Sequence, residues 1–163
     1  MAAAAALGAL PRLSSGDAHV AGAGPVDAAT REALGSSGLI YVSPLRTDGS
    51  ESRCHGEVWF LWLDDAAHVV VSRDGWKARA IYRGLDRARI WVGDLGVIRK
   101  ARSKLPTAPR FDARAASVGD PDVIRRALEA YGSKYPDEWG KWKPRFEKGL
   151  ADGSRILLRY APL

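Results

Sequence analysis

A hydroxyl, a guanidinium, an indole and an ammonium arrive in quick succession at Ser72, Arg73, Trp76 and Lys77, within the stretch SRDGWKARAIYRG (residues 72–84). They follow the apolar run HVVV, so they stand where a strand gives way to a helix. A lysine near a helix N-terminus adds a point charge to free backbone amides, a combination that suits a phosphate. Ser72 would add a hydroxyl donor and Arg73 a second charge. Residue types alone favour a plainer arrangement, in which Asp74 caps the amides and Lys77 stays in solvent, the usual place for a lysine. Arg79 and Arg83 extend either a basic patch or a charged helix face.

Other candidates lie on both sides of this stretch. Arg53, at the start of a strand, is either an anion contact or a surface arginine. Glu57, Val58, Trp59 and Phe60 sit in an apolar strand, where Glu57 must point outward or be paired, because a buried lone carboxylate is costly. Trp139 and Trp142 share a helix face at i and i+3, and hydrophobic packing is their first reading. His19, His55 and His68 show no ligand spacing with Cys54 or with carboxylates, so no metal site is expected. Cys54 and His55 are adjacent, and neighbours on a strand point to opposite faces, so they do not pair as nucleophile and base. No nucleophile elbow or phosphate-binding glycine loop is present, and no catalytic acid or base is identifiable.

The chain that must position these groups has 163 residues and a formal net charge of +6, from 25 Lys and Arg against 19 Asp and Glu. Such a balance favours anionic partners. The basic residues are spread out, with one short cluster, RKARSK (99–104). A phosphorylated small molecule is therefore preferred over nucleic acid. A single cysteine excludes an intrachain disulfide and fits a reducing cytoplasm. No apolar stretch is long enough to span a bilayer, and MAAAAALGAL lacks the basic start of a signal peptide. Residues 1–24, rich in Ala, Gly and Ser, read as a flexible arm, and residues 25–163 as one domain.

The expected elements follow in order. A short helix capped by Asp27 stops at Gly35. A strand over 39–45 holds Pro44, which suggests a bulge or an edge. Asp48-Gly49 turns the chain into a single strand over 53–63, and DDAA returns it as HVVVS (68–72). A helix over 76–85, a strand over 87–92 and a basic stretch over 97–110, part strand and part loop, come next. The alternating RFDARAASV (110–118) reads as a half-exposed strand. Asp120 and Pro121 open a helix that Gly132 ends. A helix over 137–150 is interrupted by Gly140 and Pro144, and SRILLRY (154–160) closes the chain. Mainly β structure with inserted helices, curled into an antiparallel barrel, is the expected architecture.

In this order the parts resemble the pyridoxamine 5'-phosphate oxidase-like split-barrel family. The matching pieces are Asp48-Gly49, Trp59-Phe60, Ser72, Lys77 and the strand Arg89 to Val92, then FDARAASVGDPDVIRRALEAY and the closing DGSRILLRYAP. The resemblance covers residues 27–162. It implies an antiparallel split β-barrel and a homodimer with a flavin, usually FMN, in a groove shared by both subunits; some relatives use a deazaflavin and some bind haem. It implies cofactor contacts from Arg53, Val58, Trp59, Ser72, Arg73, Trp76 and Lys77. The expected function is that of a flavin-dependent oxidoreductase acting on an unknown small molecule. A non-catalytic flavin, deazaflavin or haem binder is the alternative, and a basic interaction domain is a third.

Overall fold

A computed structural model describes residues 26–163; the expected N-terminal arm (1–24) lies outside the described residues. Seven strands and five helices follow in the order α1 (Ala28–Ser36), β1 (Leu39–Pro44), β2 (Gly56–Trp59), β3 (Leu61–Leu63), β4 (Ala66–Ser72), α2 (Trp76–Tyr82), β5 (Arg87–Val92), α3 (Ile98–Ala101), β6 (Arg110–Val118), α4 (Pro121–Lys134), α5 (Pro136–Asp152) and β7 (Arg155–Pro162). The strands form one antiparallel sheet in the order β2-β1-β5-β6-β7-β4-β3.

The expected single strand over 53–63 is two strands. It breaks at Phe60, and its halves pair with opposite ends of the sheet. β2 pairs with β1, Leu39 opposite Trp59, and β3 pairs with β4, Leu61 opposite His68. One short segment thus supplies both edges, and this curls the sheet into a barrel. Between β2 and the upper part of β4 the ladder stays open. That gap is the split.

Alternation decides what fills the barrel. Ile40 and Val42, Val69 and Val71, Ile90 and Val92, and Leu158 and Tyr160 all point inward with Phe60 and Phe111. The opposite faces of β3, β4 and β7 present Leu61, Val70 and Leu157 to Tyr131 and Phe146 of the α4–α5 hairpin. α3 covers Tyr41 and Trp91 on the outer face of β1 and β5.

Several expected boundaries shift for local reasons. β1 is an interior strand, not an edge. Pro44 is its last residue, where its missing N–H leaves no ladder bond unmade. The helix at residue 76 ends at Tyr82, and the basic stretch after β5 holds α3 and a 3-10 turn (Leu105–Thr107) but no strand. α1 runs one residue past Gly35. Gly132 lies inside α4 and does not end it. A Cβ there would come within 2.8 Å of the Trp139 ring nitrogen, so the glycine serves close helix packing. α5 runs unbroken through Gly140 and Pro144. The missing N–H of Pro144 would have bonded the carbonyl four residues back, that of Gly140, and both residues are exposed, so the unmade bond lies on the solvent face of the helix.

Asp27 and Asp120 cap their helices as expected; the Asp120 side chain accepts from the N–H groups of Asp122 and Val123. Asp120→Ala should lower stability by about 1 kcal/mol, read as a drop in the thermal midpoint. Asp64 and Asp65 join β3 to β4 with φ of 50° and 51°, the positive pair that a tight hairpin turn requires.

Candidate functional site

The split leaves strand backbone without strand partners, and two tyrosines at the end of α4 satisfy it. The Tyr131 hydroxyl accepts from the Val70 N–H of β4 at 3.3 Å and lies 3.2 Å from the Trp59 carbonyl of β2 and 3.3 Å from that of His68. One turn on, the Tyr135 hydroxyl accepts from the Phe60 N–H at 3.0 Å and lies 2.8 Å from the carbonyls of Phe60 and Gly38. The Tyr131 bonds hold β2 and β4 apart at a fixed separation, and those of Tyr135 tie the break at Phe60 to the residue ahead of β1. Burial pushes both phenols up, Tyr135 to about 12, so each stays a neutral donor and acceptor.

A cleft of about 270 Å3 opens along the split, lined by Val58, Val70, Val71, Ser72, Gly75, Trp76 and Lys77. Four of the expected contacts, Val58, Ser72, Trp76 and Lys77, therefore come together. The Lys77 amine lies 4.2 Å from the centre of the Trp76 ring. Burial pulls it down to about 8, against the opposing charge of Glu57. Gly56 makes room for it, because a Cβ there would lie 3.1 Å from Nζ and 3.0 Å from the Trp76 ring. Asp74 does not cap α2. The cap is Gly75, with no side-chain bond, so the plainer arrangement considered above does not form. Glu57 is paired, its carboxylate accepting from the Ile98 N–H at 3.0 Å at the start of α3.

Val58 and Val70 also line an adjoining groove of about 430 Å3 with Leu39, Glu57, Trp59, Trp142, Phe146 and Arg155. The expected contact Trp59 belongs here. It stacks on Tyr135 with ring centres 4.4 Å apart and planes 5° from parallel, and it meets Trp142 edge-on at 5.9 Å. The shared valines join the two hollows into one trough, with the Lys77 amine in the cleft and the Arg155 guanidinium in the groove.

Arg53 and Arg73 lie outside it. Arg53 is exposed in the loop ahead of β2. Arg73 follows Ser72 at the end of β4 and turns away: its backbone N–H donates to the Ser154 carbonyl and its Nε to that of Gly153. Gly56, Tyr131, Tyr135 and Arg155 were not anticipated. A tyrosine pair at i and i+4 late in a capped helix was the visible signal for two of them, but nothing local says that their hydroxyls reach strand backbone.

A second polar cluster stands on the outer face of the sheet. His55 Nδ1 faces Ser43 Oγ at 2.5 Å and Glu51 at 3.6 Å, and Glu51 also meets Arg89, which pairs with Asp112. The same ring nitrogen faces both serine and carboxylate, and Ser43 is fully buried, so this is no nucleophile relay. Among the described residues no group of three or more His, Cys, Asp or Glu gathers to hold a metal, and no helix is long and apolar enough to cross a membrane.

No protein-family model matches the chain, and no curated protein matches it in sequence. Solved structures do match. The haem storage protein HutZ from Vibrio cholerae aligns over 82% of this chain and 87% of its own, at 16% identity and a TM-score of 0.56. A candidate pyridoxamine 5'-phosphate oxidase from Listeria innocua aligns over 81% and 89%, at 11% identity and 0.53. A NimC/NimA family protein from Clostridium acetobutylicum aligns over 80% and 76%, at 15% identity and 0.52. At these identities the likeness is one of fold, and the chain has the split-barrel fold of the pyridoxamine 5'-phosphate oxidase-like proteins.

Proposed function

We propose that the chain binds FMN in this trough, with the phosphate at Lys77 and Ser72 and the ring along Val58 and Trp59, and that it works as a flavin-dependent oxidoreductase. The observation that carries the reading is the half-buried amine of Lys77. It lies in a cleft where no carboxylate bonds it, and a phosphate would offset the cost of desolvating its charge. The residues fit such a group: one cation and one hydroxyl at the narrow end, then an apolar floor of Val58 and Val70, then aromatic rings.

When bound, the flavin supplies hydride transfer. The chain's own work is to place and shield it. Lys77 neutralises the phosphate and Ser72 donates to it. Val58, Val70 and the face of Trp59 keep water from the ring. The Tyr131 bonds across the split fix the distance between the two walls. A homodimer, as the resemblance implies, would complete the trough from the partner's side and cover Tyr82, which is 57% exposed on α2.

Haem is the second reading, favoured by the likeness to a haem storage protein. Against it, no His, Cys, Met or Tyr lines either hollow among the described residues, so the trough offers none of the customary axial ligands. Titrating the purified chain separately with FMN, a deazaflavin and haem decides between them. Saturable quenching of FMN fluorescence is expected. A chain that FMN does not saturate, but that gives haem a shifted Soret band, would sink the flavin reading.

A further inference from the structure

The groove of Trp59, Trp142 and Phe146 has a built feature that the cofactor reading does not use. Arg155 opens β7 directly opposite Ser72, and its side chain reaches the groove of Trp59, Trp142 and Phe146. Its stem is seated by Gly149 of α5: a Cβ there would fall 2.6 Å from both Cγ and Cδ of Arg155. Glycine inside a helix costs about 1 kcal/mol relative to alanine, and here it leaves room for one side chain to lie against the helix. The guanidinium then stands 5.6 Å from the centre of the Phe146 ring, half-buried. Among the described residues it makes no ion pair. The one carboxylate in the groove, that of Glu57, is bonded to the Ile98 N–H.

An immobilised, partly desolvated arginine without a counter-ion, set beside two indoles, is a receptor for a flat anion. Its planar fork matches a carboxylate bidentately. Trp142 lines the same groove, half-buried, and offers apolar surface to an aromatic body. We infer that Arg155 sets the specificity of the trough by receiving the carboxylate of a planar aromatic ligand lying beside Trp142. The ligand's role as substrate rests on the cofactor reading above; its binding to the chain does not.

The test is isothermal titration of the chain with 2-naphthoate and its neutral isostere 2-naphthamide, each with and without FMN. Naphthoate should bind more tightly than the amide by about 10- to 100-fold, the range for a hydrogen-bonded charge. In Arg155→Met, which keeps the stem over Gly149, that preference should vanish while the amide's affinity holds. Gly149→Ala should weaken naphthoate with the charge still present, by unseating the side chain. Equal affinities for acid and amide in the unaltered chain, or a preference that survives in Arg155→Met, would overturn the assignment. Naphthoate binding that persists while FMN fails to bind would remove the cofactor reading and leave Arg155 as the anion receptor.

Discussion

Lys77→Met is expected to weaken FMN binding about 100-fold and, at neutral pH, to make the ligand-free chain more stable. The first effect follows from removing the cation that faces the phosphate in a partly desolvated cleft, where charge-assisted bonds are strong. The second follows from burial. The amine sits at about 8 in the folded chain against an ordinary 10.5, so holding it charged below that point opposes folding. The opposition amounts to at most roughly 3 kcal/mol, and methionine fills the same space without it. Opposite signs on binding and stability separate a ligand-holding lysine from a surface one, for which neither quantity would move. Unchanged FMN affinity, measured beside a thermal melt of the same variant, would remove Lys77 from the site.

The pH dependence follows from the same shift. Between about 8 and 10.5 the unfolded chain holds a proton on Lys77 that the folded chain has released, so stability rises with pH across that window. Lys134 behaves alike. Burial pulls it to about 8 as well, with its amine 3.4 Å from the centre of the Phe60 ring. Lys77→Met should therefore flatten the rise without abolishing it. FMN affinity should move the other way and fall as pH rises through 8, because the phosphate selects the protonated amine. Titrations in buffers of different ionisation heat would register the proton taken up on binding.

The parts of the site that read directly from sequence are those set by local rules. Alternation along β6 placed its inward face, and Asp27 and Asp120 announced their helices through capping chemistry. Ser72, Trp76 and Lys77 fall within six residues of one another at a strand-to-helix junction, so any fold that kept the junction would keep them close. The remainder depends on partners far along the chain. The break at Phe60 needs β1 and β4 to claim opposite halves of one apolar run, and the run itself carries no mark of it. Arg73 has the right charge beside Ser72, yet strand alternation and the Gly153 carbonyl take it elsewhere. Gly132 and Gly149 look like helix breakers until Trp139 and the stem of Arg155 are seen against them. In each case the residue type is ambiguous between a local role and a packing role, and only the tertiary neighbour resolves it.

Tyr131→Phe should cost about 1 to 3 kcal/mol, and Tyr131→Ala about 3 to 5, far more than a residue outside the trough's lining would suggest. The ring is fully buried against Phe146 and Trp139, so truncation to alanine opens a cavity between α4 and the sheet. Loss of the hydroxyl alone leaves the Val70 N–H and the Trp59 carbonyl without their bridging partner inside the protein. For a domain of this size, each kcal/mol moves the thermal midpoint by roughly 3 °C. Site-resolved amide exchange gives the sharper reading. In Tyr131→Phe the Val70 amide should lose protection while that of Phe60 keeps it, because Phe60 bonds Tyr135. Tyr135→Phe should show the reverse. If both amides respond equally to either change, the split opens as one unit and the two tyrosines are not separate clamps. If neither responds, the Tyr131 hydroxyl does not hold β2 to β4 nor the Tyr135 hydroxyl the break at Phe60, and the width of the trough must be set by the ring packing of α4 and α5 alone.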